Sequence, residues 1–184
     1  MKPTATGSSE LYRIQRLSRL LAASCLVLML FLPAFDAFVW SWASVSDLAV
    51  IFRIAPGTVK GELLAWQRIA GGLLMMLPFG CQIAGLWESR KCFRLFASGR
   101  IFVRDAVRCL RRFAAWMLAS IFADSVADSA LSVVMTAGNP PGQRVFSIGF
   151  GFDVNMAVFI GIVWLMAAVI GHGQSIAEEN ASFV

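Results

Sequence analysis

Apolar residues gather in four long runs, at 20–42, 63–87, 113–136 and about 153–171, separated by stretches rich in polar and basic residues. A helix needs about 20 mostly apolar residues to cross the hydrocarbon of a bilayer, and each run meets that length. The pattern therefore predicts an all-α membrane protein with four transmembrane helices, forming a single integral-membrane helical domain over 1–184. No internal repeat or low-complexity tract suggests another division. The first run follows Arg13, Arg16 and Arg19, as a signal peptide would. It continues past Pro33 to Trp42, however, and no small-x-small cleavage site ends it. Ala23-Ser24-Cys25 faintly resembles a lipoprotein box, but its cysteine precedes most of the apolar core. The run is read as a retained first helix.

The linkers carry their own periodicity. From Ile101 to Phe113, Val103, Val107 and Leu110 alternate at helical spacing with Arg104, Arg108 and Arg111. This predicts a cytoplasmic amphipathic helix before the third span, lying at the inner leaflet, with Ser98-Gly99 as the break ahead of it. The arginines would meet anionic lipid headgroups, each contact worth on the order of 1 kcal/mol. In the N-terminal segment Leu11, Ile14, Leu17 and Leu21 form a smaller stripe of the same kind. Segment 43–62, with Pro56-Gly57, has room for a short surface helix or a hairpin, and Asn139-Pro140-Pro141-Gly142 is a strong turn.

Composition agrees: of 184 residues 58% are hydrophobic and only 15% charged, against roughly 25% charged in soluble domains. The net charge of +5 changes the picture only through its distribution. Lys2, Arg13, Arg16 and Arg19 precede the first span, and Arg90, Lys91, Arg94, Arg100, Arg104, Arg108, Arg111 and Arg112 lie between the second and third. The other two loops hold only Arg53, Lys60 and Arg144. Positive residues favour the cytoplasmic side, so both termini and the central loop are expected there, in a bacterial inner membrane. Trp40, Trp42 and Trp66 fall at the outer boundary and Trp87 and Trp116 at the inner one, where indole rings prefer to sit. The positive-inside pattern accounts for the basic residues, so no direct nucleic-acid contact is expected.

Against that background the carboxylates of the third span stand out. Asp124 lies near its middle and Asp128 one turn later, with Ser120, Ser125, Ser129 and Ser132 around them. An ionised side chain at the centre of a span costs at least about 2.5 kcal/mol, which makes each a candidate intramembrane polar site. Spacing of i, i+4 puts both on one face, where mutual repulsion would favour a shared proton. Arg68, in the outer third of the second span, lies at a depth from which it could pair with Asp128, and Asp36 in the first span is a second partner for it. Three readings stay open: a buried ion pair fixing helix register, a proton or ion pathway, and the lining of a ligand cavity. Gly71-Gly72 and Gly161 are read as close-packing positions.

Other chemistry is not expected. Cys25, Cys81, Cys92 and Cys109 are scattered and His172 is the single histidine, so no metal centre or disulfide framework follows. Gly149 and Gly151 make no phosphate-binding fingerprint, and no triad is evident. The Asn180-Ala181-Ser182 sequon falls on the expected cytoplasmic side. The sequence calls for no cofactor.

The C-terminal stretch HGQSIAEENASFV and the central stretch CFRLFASGRIFVRDAVRCLRRFAAWML resemble, in order and spacing, an uncharacterised bacterial membrane family, domain of unknown function 2975. The likeness covers roughly 60–184, with the first span fitting by position. It implies a four-span inner-membrane protein without established activity or catalytic residues. It also implies a cytoplasmic regulatory protein as partner, since some relatives stand beside small helix-turn-helix regulators. The combined expectation is a multi-pass, non-enzymatic regulatory or accessory module. The alternative is a small proton-coupled transporter or channel subunit using Asp124 and Asp128, which would require a homo-oligomer.

Overall fold

The computed structural model describes residues 5–52, 54–55, 57–99, 103–147 and 154–182, with side chains described from Tyr12 to Gly173 within those ranges. Arg53, Pro56, Arg100, Gly149, Gly151 and the side chains of the C-terminal tail, on which some of the expectations fall, lie outside the described set. Five helices follow one another: α1 (Ala5–Trp42), α2 (Val45–Ile51), α3 (Ala65–Ala97), α4 (Arg104–Thr136) and α5 (Val154–Ser182). All but α2 are long and apolar enough to cross a membrane, and they match the four expected spans, with α3 starting at Ala65 rather than at 63.

Two boundaries differ from expectation. No separate surface helix precedes the third span among the described residues, because Arg104–Arg112 forms the first turns of α4 itself. Nothing between Arg112 and Phe113 breaks a helix, since RDAVRCLRRFAAW lacks proline and glycine and consists largely of good helix formers. Likewise α3 runs ten residues past Trp87, ending only where Ser98 and Gly99 turn the chain, with Gly99 at φ +78°. The leucine stripe of α1 stays on the surface. Ser18, Ala22 and Cys25 face inward, whereas Ile14, Leu17 and Leu21 are exposed. Proline at 33 and at 78 sits inside α1 and α3, as membrane helices tolerate.

The chain divides into two compact units: Leu30–Gln82 with Ala119–Asp153, and Met1–Met29 with Ile83–Leu118 and Val154–Val184. In the former, Trp40 is the anchor. Its ring lies directly on Gly71, stacks on Phe52 at 5.4 Å, and joins Leu48, Leu63, Met75, Ala127, Leu131 and Met135 in one apolar cluster. The glycine pair is thus a close-packing site as expected, while nothing lies within 4 Å of the position a side chain would take at Gly161. The short helix α2 fills the linker after α1 and opens on a capping box between Ser44 and Asp47.

The second linker is held to the same unit by side chains reaching across sequence. Asn139 is buried, accepts from the Lys60 amide at 3.0 Å, and donates to the carbonyls of Thr58 (2.7 Å) and Gln143 (3.0 Å). Gln67 donates to the Val134 carbonyl at 2.7 Å and accepts from the Leu64 amide at 2.8 Å. The strand-like return after the turn pairs with hydroxyls of α4. Thr136 Oγ1 accepts from Val145 N at 3.2 Å and Ser132 Oγ from Ser147 N at 3.0 Å.

In the other unit, Cys92, Ala106 and Cys109 are the buried contact between α3 and α4, backed by Leu95, Phe96, Val103 and Leu110. Glu88, 8% exposed, bonds Lys91 Nζ at 2.6 Å and lies 3.9 Å from Arg112 of α4. Its Oε2 is buried without a hydrogen-bond partner.

Candidate intramembrane polar site and basic face

The polar residues of α4 mostly turn their hydroxyls back on their own helix. Ser125 donates to the Ile121 carbonyl (3.2 Å), Ser129 to Ser125 (2.7 Å) and Thr136 to Ser132 (2.7 Å). Such bonds satisfy a hydroxyl inside a span without a partner helix. Asp124 is exposed and Asp128 half-buried, while Ala127 and Leu131 beside them are fully packed. Counting back from Met135 in steps of four and three passes through Leu131, Asp128, Asp124, Ile121, Met117 and Ala114. The carboxylates therefore occupy the two places on an otherwise packed seam where the helix stays accessible.

Arg68 and Asp36 sit on either side of the Trp40 contact. Arg68 Nη1 donates to the carbonyls of Trp40 and Ala43, each at 3.0 Å. These belong to the last turn of α1 and the residue after it, where unpaired carbonyls concentrate partial negative charge. The arginine is thus a C-terminal cap delivered from a neighbouring helix. Asp36 is buried, with its carboxylate 3.6 Å from the position a side chain would take at Gly72. It interacts with the Trp40 side chain one turn later, without a well-formed hydrogen bond to the buried indole Nε1.

Among the expected lipid-surface residues, Arg104, Arg108 and Arg111 are all exposed on the first turns of α4, and so is Arg112. Arg108 lies 3.4 Å from Asp105, an exposed i, i+3 pair of small energetic weight. On α3 the large exposed apolar residues end at Trp87, whose ring carries Arg90 at 5.6 Å, and on α4 they begin at Trp116. Beyond both tryptophans the exposed side chains are polar or basic. Among the described residues, no group of three or more His, Cys, Asp or Glu side chains is placed to hold a metal ion.

Sequence reasoning passed over Gln67, Asn139 and Glu88. A lone polar side chain within a span is itself a signal by which Gln67 could have been found, whereas Glu88 falls just past the second expected span. Asn139 was visible only as a turn residue, since its partners lie about 80 positions away.

An all-helical chain with four helices of membrane-crossing length, their polar groups largely returned to backbone and one end rimmed with arginine, belongs to the multi-pass helical class. Within it, the chain is a member of the family described as protein of unknown function (DUF2975), which matches residues 32–184. The match extends further toward the N-terminus than the two sequence motifs did, into α1. Comparison with curated proteins and with solved structures gives no match.

Proposed function

We propose that the protein is a non-enzymatic accessory or regulatory module of a bacterial cytoplasmic membrane, with both termini and the α3–α4 turn on the cytoplasmic side. The observation that carries this reading is the change of surface at Trp87 and Trp116, from exposed apolar side chains to exposed arginines. That arrangement suits an anionic leaflet, with Arg111 and Arg112 nearest the lipid phosphates and Arg108 and Arg104 one and two turns further out along α4. The polar groups of the spans meanwhile serve architecture, in caps, back-bonded hydroxyls and loop ties.

One observation favours a second reading. Asp124 remains exposed on a span in which a carboxylate is costly, which suits a proton-coupled transporter or channel subunit assembled from several copies. Proteoliposomes with an internal pH dye separate the two. As an accessory module, the protein leaves an imposed pH gradient to decay at the protein-free rate. Faster decay that Asp124→Asn and Asp128→Asn abolish, with both variants still folded, would establish transport instead.

A further inference from the structure

The N-terminal part of α1 presents an apolar face that the described residues leave exposed. Two contacts fix its level within its unit. Cys25 lies within hydrogen-bonding reach of Ser89, two residues past Trp87 on α3. Gln15 Nε2 lies 3.3 Å from the position a side chain would take at Gly99, the turn at the tip of the α3–α4 hairpin. Residues 25 down to 15 of α1 therefore run beside 89 up to 99, the segment that extends beyond the interfacial tryptophans.

At 1.5 Å per residue, Leu21 stands roughly 6 Å beyond Cys25, Leu17 roughly 12 Å and Ile14 roughly 16 Å. A headgroup layer is only roughly 5–8 Å thick. With Trp87 at the interface, Leu20 and Leu21 would reach into headgroups, whereas Leu17 and Ile14 would stand beyond them in water. All the same, Ile14, Leu17, Leu20 and Leu21 are 44%, 58%, 60% and 39% exposed. They form a continuous face with Arg13 and Arg16, both exposed, along its edge: Arg13 precedes Leu17 by one turn and Arg16 precedes Leu20. The inward stripe of Ser18, Ala22 and Cys25 adjoins this face along the Ile14 and Leu21 side of the helix.

We propose that this face docks an amphipathic helix of a partner protein, one with an apolar stripe at i, i+3 and i+7 flanked by glutamate or aspartate. Helix-to-helix docking through such spaced anchors is a common recognition mode. Charge selects the occupant. Arg13 and Arg16 border the leucines, and the surrounding unit adds exposed Arg94, Arg108, Arg111 and Arg112. A second copy would set arginine against arginine, whereas an acidic helix is complementary and is steered in at low salt. The proposal rests on the accessory reading only for there being a partner.

The full chain in nanodiscs of zwitterionic phosphatidylcholine tests it with a fluorescein-labelled acidic peptide carrying leucines at i, i+3 and i+7. Saturable binding that weakens with salt is expected, weakened at least about tenfold by Leu17→Gln with Leu21→Gln, and by Arg13→Glu with Arg16→Glu. A peptide with lysine in place of glutamate should then prefer the charge-reversed protein. Binding no tighter than that of a scrambled peptide of equal composition overturns the proposal. A nitroxide at Leu17→Cys reports the occupant directly: access to a water-soluble relaxant is expected. Access to oxygen instead (lipid cover) or dipolar broadening between labels (a second copy) also overturns it. These substitutions are at exposed positions and spare the fold. Failure of the docking face leaves the proteoliposome test of the accessory reading untouched.

Discussion

At Gly71 a single hydrogen decides whether two helices can meet. The Trp40 ring occupies the place a side chain would take there, while at Gly72 the nearest ring atom is 3.4 Å away and at Gly161 there is open space. Overpacking a fitted contact costs typically about 1–3 kcal/mol. Gly71→Ala should therefore lower the thermal midpoint in detergent, Gly72→Ala should lower it less, and Gly161→Ala should leave it unchanged. Arg68 offers a sharper contrast. If its role is to cap α1 through the Trp40 and Ala43 carbonyls, exchanging charges as Arg68→Asp with Asp128→Arg cannot restore stability. If instead it is the partner of Asp128, the exchange should recover much of the loss from either single variant. Thermal unfolding of the three variants decides between these roles. Asn139→Ala removes three bonds from a buried amide, leaves the Lys60 amide without its acceptor, and should cost about 2 kcal/mol.

At the scale of elements, the four apolar runs and the turns at Ser98-Gly99 and Asn139–Gly142 were legible because they depend on composition and on glycine or proline chemistry. Which face of each helix packs was not. The leucine stripe of α1 has the periodicity of a core in a soluble protein, yet Ser18, Ala22 and Cys25 make the contacts. Periodicity reports where large apolar side chains are, not which side of the helix its neighbours contact. The polar site was legible in part: Asp36 and Arg68 were marked by their cost in a membrane, but not the Trp40 contact they flank, which depends on a ring meeting a glycine 31 residues away. The short α2 was only one of two options, and its capping box decides between them. Ser44 Oγ donates to Asp47 Oδ2 at 2.6 Å, the Ser44 amide does so at 3.1 Å, and the Asp47 amide returns a bond to Ser44 Oγ at 3.2 Å. The Ser44 hydroxyl, then its amide, hold the Asp47 carboxyl below its ordinary value of 3.8. A carboxyl depressed in the folded state lends its support at and above the ordinary aspartate range and loses it as pH falls through the lower, folded value. Amide exchange in α2 should therefore rise relative to α3 as pH drops below about 3.8, after correction for intrinsic rates. Asp47→Asn should show that higher exchange already at neutral pH.

For the whole molecule, the distribution of charge and the continuity of the helices make one joint demand. Because α3 and α4 run unbroken past Trp87 and Trp116, the proposed orientation would have the basic residues on their ends project from the membrane on helical turns rather than lie on it as a loop. Eight lysines and arginines lie in residues 88–112, against Arg53, Lys60 and Arg144 in the two linkers at the opposite ends of the spans. A bias of that size fixes orientation during insertion. Ser98 at the hairpin tip and Gln143 after the other turn are both exposed, whereas Cys25, Cys92 and Cys109 are buried and the half-buried Cys81 is replaced by serine in the labelling background. In intact bacterial spheroplasts a membrane-impermeant maleimide should label Gln143→Cys and spare Ser98→Cys until the membrane is opened. Labelling of Ser98→Cys alone would reverse the orientation. It would also move the arginine rim away from the anionic leaflet that the proposed accessory role relies on.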